Sequence, residues 1–408
     1  MSDITAQICI VGGGPAGLMA GLLFARAGVE TLVLEKHGDF LRDFRGDTVH
    51  PSTLELFSQL GWLGELLALP HEKVARIRGR VAGQLLGVAD FRHLPVAAPF
   101  IAMMPQWDLL DFLASKARGY PGFSLRMNSE ATGLTFDGRG RVSGVRIADG
   151  SAVQAGLVIA ADGRRSVLRG AGELPLESLG APMDVFWFRI PKSPGEANNS
   201  FGIFERGRIF VMIDRCDYWQ CAYVFGKDGG AAVKARGLEA FKGEISALAP
   251  ELRSGIPTIA GWDDVQLLSV ALDRLTRWYR PGLLVIGDAA HAMSPIGGIG
   301  INLAIQDAAA AANVLAGPMA RGVAPDELLA DVQRRRWKPT VRMQGLQKIA
   351  QDRLIAPLLA GESQLSKPPL LMRLLDKFPL LQRIPARIIG LGFGREDIES
   401  PDAISEGG

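Results

Sequence analysis

Four apolar residues, Ile8-Cys9-Ile10-Val11, run straight into Gly12-Gly13-Gly14-Pro15 and then into a stretch rich in alanine and leucine that ends near Ala27. A short continuous apolar run bounded by glycines is the mark of a strand buried on both faces of a parallel sheet. The stretch after it reads as a helix stopped by Gly28, and Thr31-Leu32-Val33-Leu34 as the next buried strand, closing at Glu35. The unit is therefore βαβ. Within it Gly12, Gly14 and Gly17 spell G-x-G-x-x-G between strand and helix. The first glycine permits the tight turn, the second lets the backbone approach a pyrophosphate, and the third lets helix and strand pack closely. The helix start, with Pro15 and Ala16, then offers free N–H groups and a partial positive charge to an anion. Glu35, with Lys36 beside it, lies where a carboxylate can accept hydrogen bonds from a ribose diol. Such a site takes a dinucleotide, and this motif alone does not separate NAD from FAD.

Further buried-strand runs occur at 157–160 and 283–286, far from the first two. Between them lie strand-rich stretches at 76–98 and 184–224, hairpin signals at Asp137-Gly138 and Asp149-Gly150, and a helix over Gln106 to Arg118. An alanine-rich helix spans about 301–315, and 327–390 reads as helices broken by prolines. This layout predicts an α/β fold: a doubly wound, mostly parallel, Rossmann-like sheet interrupted by a β-sheet domain and followed by C-terminal helices. The expected bounds are 1–75, 100–178 and 265–345 for the dinucleotide domain, 76–99 and 179–264 for the β-domain, and 346–408 for the tail.

Three more segments narrow the ligand. They are Ala160-Ala161-Asp162-Gly163-Arg164-Arg165-Ser166-Val167-Leu168-Arg169, then Arg280-Pro281-Gly282-Leu283-Leu284-Val285-Ile286-Gly287-Asp288-Ala289-Ala290-His291, then Pro295-Ile296-Gly297-Gly298-Ile299-Gly300-Ile301-Asn302. Together with the first motif they resemble the group A flavoprotein monooxygenases, the para-hydroxybenzoate hydroxylase-like family, over about residues 5–345. The resemblance implies FAD as cofactor. Asp162 and Gly163 would sit near the pyrophosphate and the nicotinamide nucleotide, and Gly287 and Asp288 at the ribityl or ribose hydroxyls. Pro295, Gly298, Gly300, Ile301 and Asn302 would face the flavin ring, with Pro295 near its reactive edge. Arg45, and Gln106 at its helix start, would also contact FAD; the plainer reading of Gln106 is a surface residue.

The same resemblance implies the chemistry: NAD(P)H reduces FAD, O2 is captured, and a C4a-hydroperoxyflavin hydroxylates a small aromatic or polycyclic substrate. The protein then has to position substrate and exclude water. His50 and Asp47 are candidates for polar substrate contact. Trp187, Arg189, Phe210, Met212 and Tyr223, alternating along strands of the β-domain, are candidates to line the pocket, although for any single one of them core packing is the better reading. Flavin-dependent halogenases share the fold but carry W-x-W-x-I-P, which here reads Phe186-Trp187-Phe188-Arg189-Ile190-Pro191. Flavin-linked reductases of isoprenoid chains and a non-catalytic FAD-binding protein are the competing readings.

Composition excludes other classes. With 45 basic and 43 acidic residues the net charge is +2, so no bulk electrostatics calls for nucleic acid. The three cysteines, Cys9, Cys216 and Cys221, have neither disulfide nor metal-ligand spacing, which suits a reducing, cytoplasmic setting. No metal site, signal peptide or membrane span is expected. The expected assembly is a monomer or homodimer. The segment Leu370 to Phe393 mixes apolar residues with arginine and lysine; it is expected to pack as helices on the FAD domain, with membrane-surface docking as the alternative.

Overall fold

The computed structural model describes residues 4–41, 48–193, 200–205, 207–215, 217–361 and 368–404. Strand Ile4–Val11 lies at the middle of an eight-stranded sheet. It pairs in parallel with Thr31–Leu34 on one side and Ala152–Ala160 on the other. Phe123–Arg126 extends the parallel sheet beyond Thr31–Leu34, and Leu283–Val285 extends it beyond Ala152–Ala160. All four buried runs seen in the sequence therefore fall in one sheet. Tyr279–Arg280 closes one edge antiparallel, and the hairpin strands Ala131–Phe136 and Val142–Ile147 continue antiparallel from Ala152–Ala160.

Successive residues of a strand point to opposite faces, and the two faces pack differently. Ile8 and Ile10 meet helices Pro15–Arg26 and Gly300–Ala320, whose Leu18, Leu22, Ile305 and Ala308 are fully buried. Cys9 and Val11 meet Leu134, Val142 and Val145 of the hairpin and the indole of Trp278. The region Ile296–Ala320 is long and apolar enough to cross a membrane, but 78% of its most apolar window is buried inside the fold, as a core helix is.

A second sheet of seven strands runs Gln266–Ser269, Met183–Pro191, Tyr218–Gly226, Arg208–Asp214, Phe201–Glu205, Arg76–Val81, Gln84–Asp90. All its pairings are antiparallel except that of Phe201–Glu205 with Arg76–Val81. One face carries Phe186, Phe188, Phe210, Met212, Cys221 and Tyr223, packed under Phe241 and Ile245 of helix Leu238–Leu248. The other carries Val185, Trp187, Val211 and Val224, packed toward Ile296, Ile355 and Leu358.

Helix Leu329–Ala350 continues into a π-helical turn, Gln351–Ile355, so one rod runs through positions 345 and 346. Helix Leu370–Lys377, the 3-10 turn Pro379–Gln382 and helix Arg383–Leu391 lie along Gln84–Asp90, the edge strand of the second sheet, rather than on the dinucleotide domain alone. The carboxylate of Asp376 accepts the N–H of Gly87 at 2.9 Å, which satisfies one donor of that open edge.

Candidate active site

The glycines of the first motif answer to different constraints. Gly12 has φ +107°, and a Cβ there would stand 2.3 Å from the carbonyl oxygen of Ala161. A Cβ on Gly17 would stand 1.8 Å from the Gly12 carbonyl oxygen. Gly14 caps the helix Pro15–Arg26 and a Cβ there would meet nothing within 4 Å. The space in front of Gly14 is thus open while its neighbours are jammed, as a loop that lets backbone approach a phosphate requires.

The Glu35 carboxylate turns back under this loop. It accepts the Gly13 N–H at 2.8 Å through Oε2, and the His37 N–H at 3.0 Å and imidazole Nδ1 through Oε1. Burial alone would raise its pKa, but these hydrogen bonds and the imidazole outweigh it and hold the carboxyl below its ordinary value. An ionised carboxylate has about four acceptor sites, and at least three of those on Glu35 are engaged within the protein. His37, which no sequence pattern singled out, orients Glu35. Lys36 is exposed.

Two helices pack against the Gly287 turn near their N-terminal ends. Neither Pro15–Arg26 nor Gly300–Ala320 has a side-chain cap or an acidic residue in its first turn, so their leading N–H groups stay free for an anion. They meet across Gly287, whose φ is +61°; a Cβ on it would lie 3.1 Å from that of Ala16 and 3.2 Å from that of Ala304. Beside Gly287, Asp288 receives Arg164 at 3.2 Å, which links the Asp162-Gly163 turn to the Gly287-Asp288 turn. Arg169 braces both through the carbonyls of Arg164 at 2.8 Å and Ala289 at 3.3 Å. Asp162 is half spent inside the protein: Oδ2 accepts the N–H groups of Val167 and Leu168, capping that short helix. Its carboxyl is pushed above its ordinary pKa by burial.

The buried Gln106 Oε1, Asp162 Oδ1 and Arg164 Nη1 have no hydrogen-bond partner. A buried polar atom without a partner costs about 1–3 kcal/mol, and all three sit on the cofactor motifs or the helix start that the resemblance assigned to FAD. Gln106 is buried, which removes the surface reading of it. Orphaned donors and acceptors, two uncapped helix starts and an open Gly14 fit a dinucleotide with hydroxyls and a pyrophosphate.

Gly297 and Gly298 both adopt positive φ, +79° and +62°. Thr48 Oγ1 donates to the Gly298 carbonyl at 2.7 Å, and a Cβ on Gly298 would lie 2.2 Å from that hydroxyl. Asn302 uses its whole amide on protein. Nδ2 donates to the carbonyls of Thr48 and Gly298, and Oδ1 accepts from the His50 N–H and the Thr53 hydroxyl, all within 3.1 Å. It fixes this loop to the segment 48–53 and leaves only its backbone to a flavin. From the other side three buried glutamines hold the loop's approach. Gln347 bridges the Ser294 N–H and the carbonyls of Ser294 and Ile296, Gln351 donates to the Ser294 hydroxyl, and Gln344 donates to the carbonyls of Asp273 and Ala292. Pro295 and Ile301 lie half-buried on this loop.

Below it a buried ionic chain stabilises the Gly287 turn. Asp307 accepts the Gly287 N–H at 3.1 Å, His291 Nε2 at 2.6 Å and Arg336 Nε at 2.9 Å; Arg336 continues to Glu396 and the Gly394 carbonyl. Burial works to raise the pKa of Asp307, but the charges and hydrogen bonds of His291 and Arg336 reverse that and lower it.

The candidates for substrate contact fall in different places. His50 is fully buried; its Nδ1 lies on the Ile389 carbonyl at 2.8 Å, which ties the segment 48–53 to the C-terminal helix, while its Nε2 has no partner. Burial drives its pKa down to about 4 against the opposing carbonyls of Ile389 and Gly297, leaving it neutral near pH 7. Phe210, Met212 and Tyr223 point to the face under helix Leu238–Leu248, opposite the face that packs toward Ile296, and Tyr223 donates to Glu244 at 2.7 Å. Met212 also lines a cavity of about 590 Å³ on that outer side, walled by Arg76, Arg78, Arg80 and Phe201. Trp187 and Arg189 do have the inward parity. Trp187 packs in both clusters of the inner face with a buried, unpartnered Nε1, and the Arg189 guanidinium lies 5.6 Å from the ring of Trp107 and 4.9 Å from that of Tyr218. Arg45 and Asp47 lie outside the described residues. Among the described residues no group of histidine, cysteine or carboxylate side chains could hold a metal.

With this geometry in hand, similarity to known proteins is specific. A family profile described as "FAD binding domain" matches residues 5–343. The 6-methylpretetramide 4-monooxygenase of Streptomyces rimosus is 32% identical over 94% of this chain and 91% of its own length. The dialkyldecalin synthase of Streptomyces rugosporus is 27% identical over 88% of this chain and 77% of its own. Among solved structures, PqsL, described as a probable FAD-dependent monooxygenase from Pseudomonas aeruginosa, superposes with a TM-score of 0.74 at 21% identity, over 88% of this chain and 98% of that one, which speaks for the fold. Profile, relatives, fold and the paired glycine turns agree: this chain belongs to the FAD binding domain family, among the group A flavoprotein monooxygenases.

Proposed function

We propose that the chain hydroxylates a fused-ring, polycyclic phenol, taking its electrons from NAD(P)H. The observation that carries this reading is the similarity to 6-methylpretetramide 4-monooxygenase over nearly the full length of both chains. The overall reaction balances as substrate C–H, O2, NAD(P)H and a proton giving substrate C–OH, water and NAD(P)+. FAD, when bound, would supply the redox chemistry that links NAD(P)H, O2 and the substrate.

The protein's own part is binding and exclusion. The N–H groups after Gly14 would hold the pyrophosphate, with Glu35 on the adenosine ribose. Asp288, fixed by Arg164, would take hydroxyls nearer the flavin. The N–H groups of Gly298 to Ile301, at an uncapped helix start, would face the negative charge that reduction places on the flavin pyrimidine. Trp187 and Arg189 on the inner sheet face, with Trp107 and Tyr218 beside them, would seat a flat aromatic substrate by stacking and an N–H donor. The apolar inner face around Val185, Val211 and Val224 would keep water from the reacting atoms.

The test is an absorbance spectrum of purified protein, then NADH and NADPH oxidation under air with a panel of tetracyclic and simpler phenols. Flavin bands, substrate-stimulated oxidation and a product heavier by one oxygen support the reading. Flavin bands without stimulated oxidation move it to a scaffold with no net redox step, which the similarity to the dialkyldecalin synthase favours as second reading. Absence of flavin after addition of FAD overturns both.

A further inference from the structure

The C-terminal segment fastens to the second sheet by one side and leaves the other bare. Gln382, Ala386 and Gly390 are buried; a Cβ on Gly390 would press on Leu94 and Phe91, and Asp376 holds the Gly87 N–H. Helix Leu370–Lys377 buries no residue fully. Leu370, Leu371, Leu380 and Ile384 are each 60% exposed or more, and Leu374, Phe378 and Leu381 are exposed as well. Among the described residues nothing covers this face. A contiguous apolar patch of this kind on a folded chain marks a contact surface.

Charge tells which contact. Arg373, Lys377, Arg383 and Arg387 stand along the same two helices, and Asp376 is the one carboxylate among them. Neither Arg373, Arg383 nor Arg387 forms an ion pair with the described residues. Two copies meeting on this face would oppose two sets of four cations across an apolar seam, and like charges there cost stability. An anionic lipid surface answers both features, with headgroups on the cations and acyl chains under the leucines. We propose that this face is a membrane-docking surface, seated in the headgroup layer of anionic bilayers with the two short helices lying in its plane. The inference is independent of the substrate and of the oxygenation reading.

The experiment is flotation of the full chain, saturated with FAD, on vesicles of phosphatidylcholine alone and of phosphatidylcholine doped with phosphatidylglycerol. Flotation with the doped vesicles, weakened by salt, is expected. The double variant Leu371→Glu/Leu380→Glu should bind them about tenfold or more weakly, since two exposed leucines that would enter the bilayer are exchanged for charges, with flavin spectrum and Tm unchanged. Arg373→Glu/Arg387→Glu should abolish the preference for anionic lipid. No flotation on doped vesicles, or flotation that survives both double variants, overturns the proposal. So does a dimer in sedimentation velocity that Leu371→Glu/Leu380→Glu turns to monomer, for the face then belongs to a second copy.

Discussion

Gly14 and Gly17 stand three positions apart, yet only one of them is a glycine for the fold's own sake. Gly17→Ala drives a methyl into the Gly12 carbonyl, so helix and strand must separate, and loss of stability and of FAD together is expected. Gly14→Ala meets open space at an ordinary φ of −78°. Its thermal stability without FAD should match that of the parent, while its FAD affinity falls about tenfold as the methyl stands where phosphate would come. Calorimetry and flavin titration separate the two outcomes, and equal FAD affinity would remove Gly14 from the cofactor site. His50 gives the pH prediction. Its folded pKa of about 4 lies below the ordinary 6.5, so the unfolded chain takes up a proton the native one refuses. The stability this group contributes is complete above pH 6.5 and drains away as pH falls toward 4, by roughly 3 kcal/mol in all. Tm should therefore drop between pH 7 and pH 5, and by less in His50→Asn. The motif glycines were legible because steric need is written in residue identity. The partners of His50 and Glu35 were not, since the Ile389 carbonyl lies hundreds of positions from His50 and His37 matches no pattern.

The helix Leu329–Ala350 teaches the same lesson at the scale of an element. Its buried polar residues Arg336, Thr340, Gln344 and Gln347, with Gln351 of the turn that continues it, recur at three- and four-residue spacing, one stripe facing the core. Periodicity was present in the sequence, but a stripe of glutamines reads as a solvated face unless the loop it braces is known. Gln347→Leu removes three hydrogen bonds and strands the Ser294 and Ile296 groups, at about 1–3 kcal/mol. With the loop slackened, NAD(P)H consumption should run ahead of hydroxylated product, read as a lower product-to-NAD(P)H ratio. Asp307→Asn leaves Arg336 buried beside an uncharged amide, and a loss of about 3–5 kcal/mol is expected in denaturant unfolding. In the strands the alternation of Phe186 through Tyr223 was readable while its direction was not. Period two says that one face differs from the other, and only the helix Leu238–Leu248 settles which is inward.

Over the whole molecule the parallel sheet and the inserted β-sheet followed from buried runs and long gaps. The path of the tail did not, because its contacts are made to distant backbone. After Leu391 the chain returns to the FAD-binding half. Gly394 and Glu396 meet Arg336, Asp397 and Glu399 meet Gln59 and Asn313, and Arg26 holds Ser400 and Asp402. Deleting residues from 393 onward is therefore expected to lower Tm and to weaken FAD retention together, as judged by thermal unfolding with and without added FAD. Unchanged flavin retention in that deletion would show the belt to be dispensable to the site.

The rod from Leu329 to Ile355 reaches the Gly287 turn through Arg336 and Asp307, the loop at 294–296 through Gln347 and Gln351, and the second sheet through Ile355. Each residue added to a helix turns everything beyond it by about 100°. A single insertion after Arg336 would swing the glutamines off the loop while Arg336 stayed in its socket. The segment behaves as a keyed shaft, and descendants of this gene are free to reshape the loops at its ends but not to change its length by one.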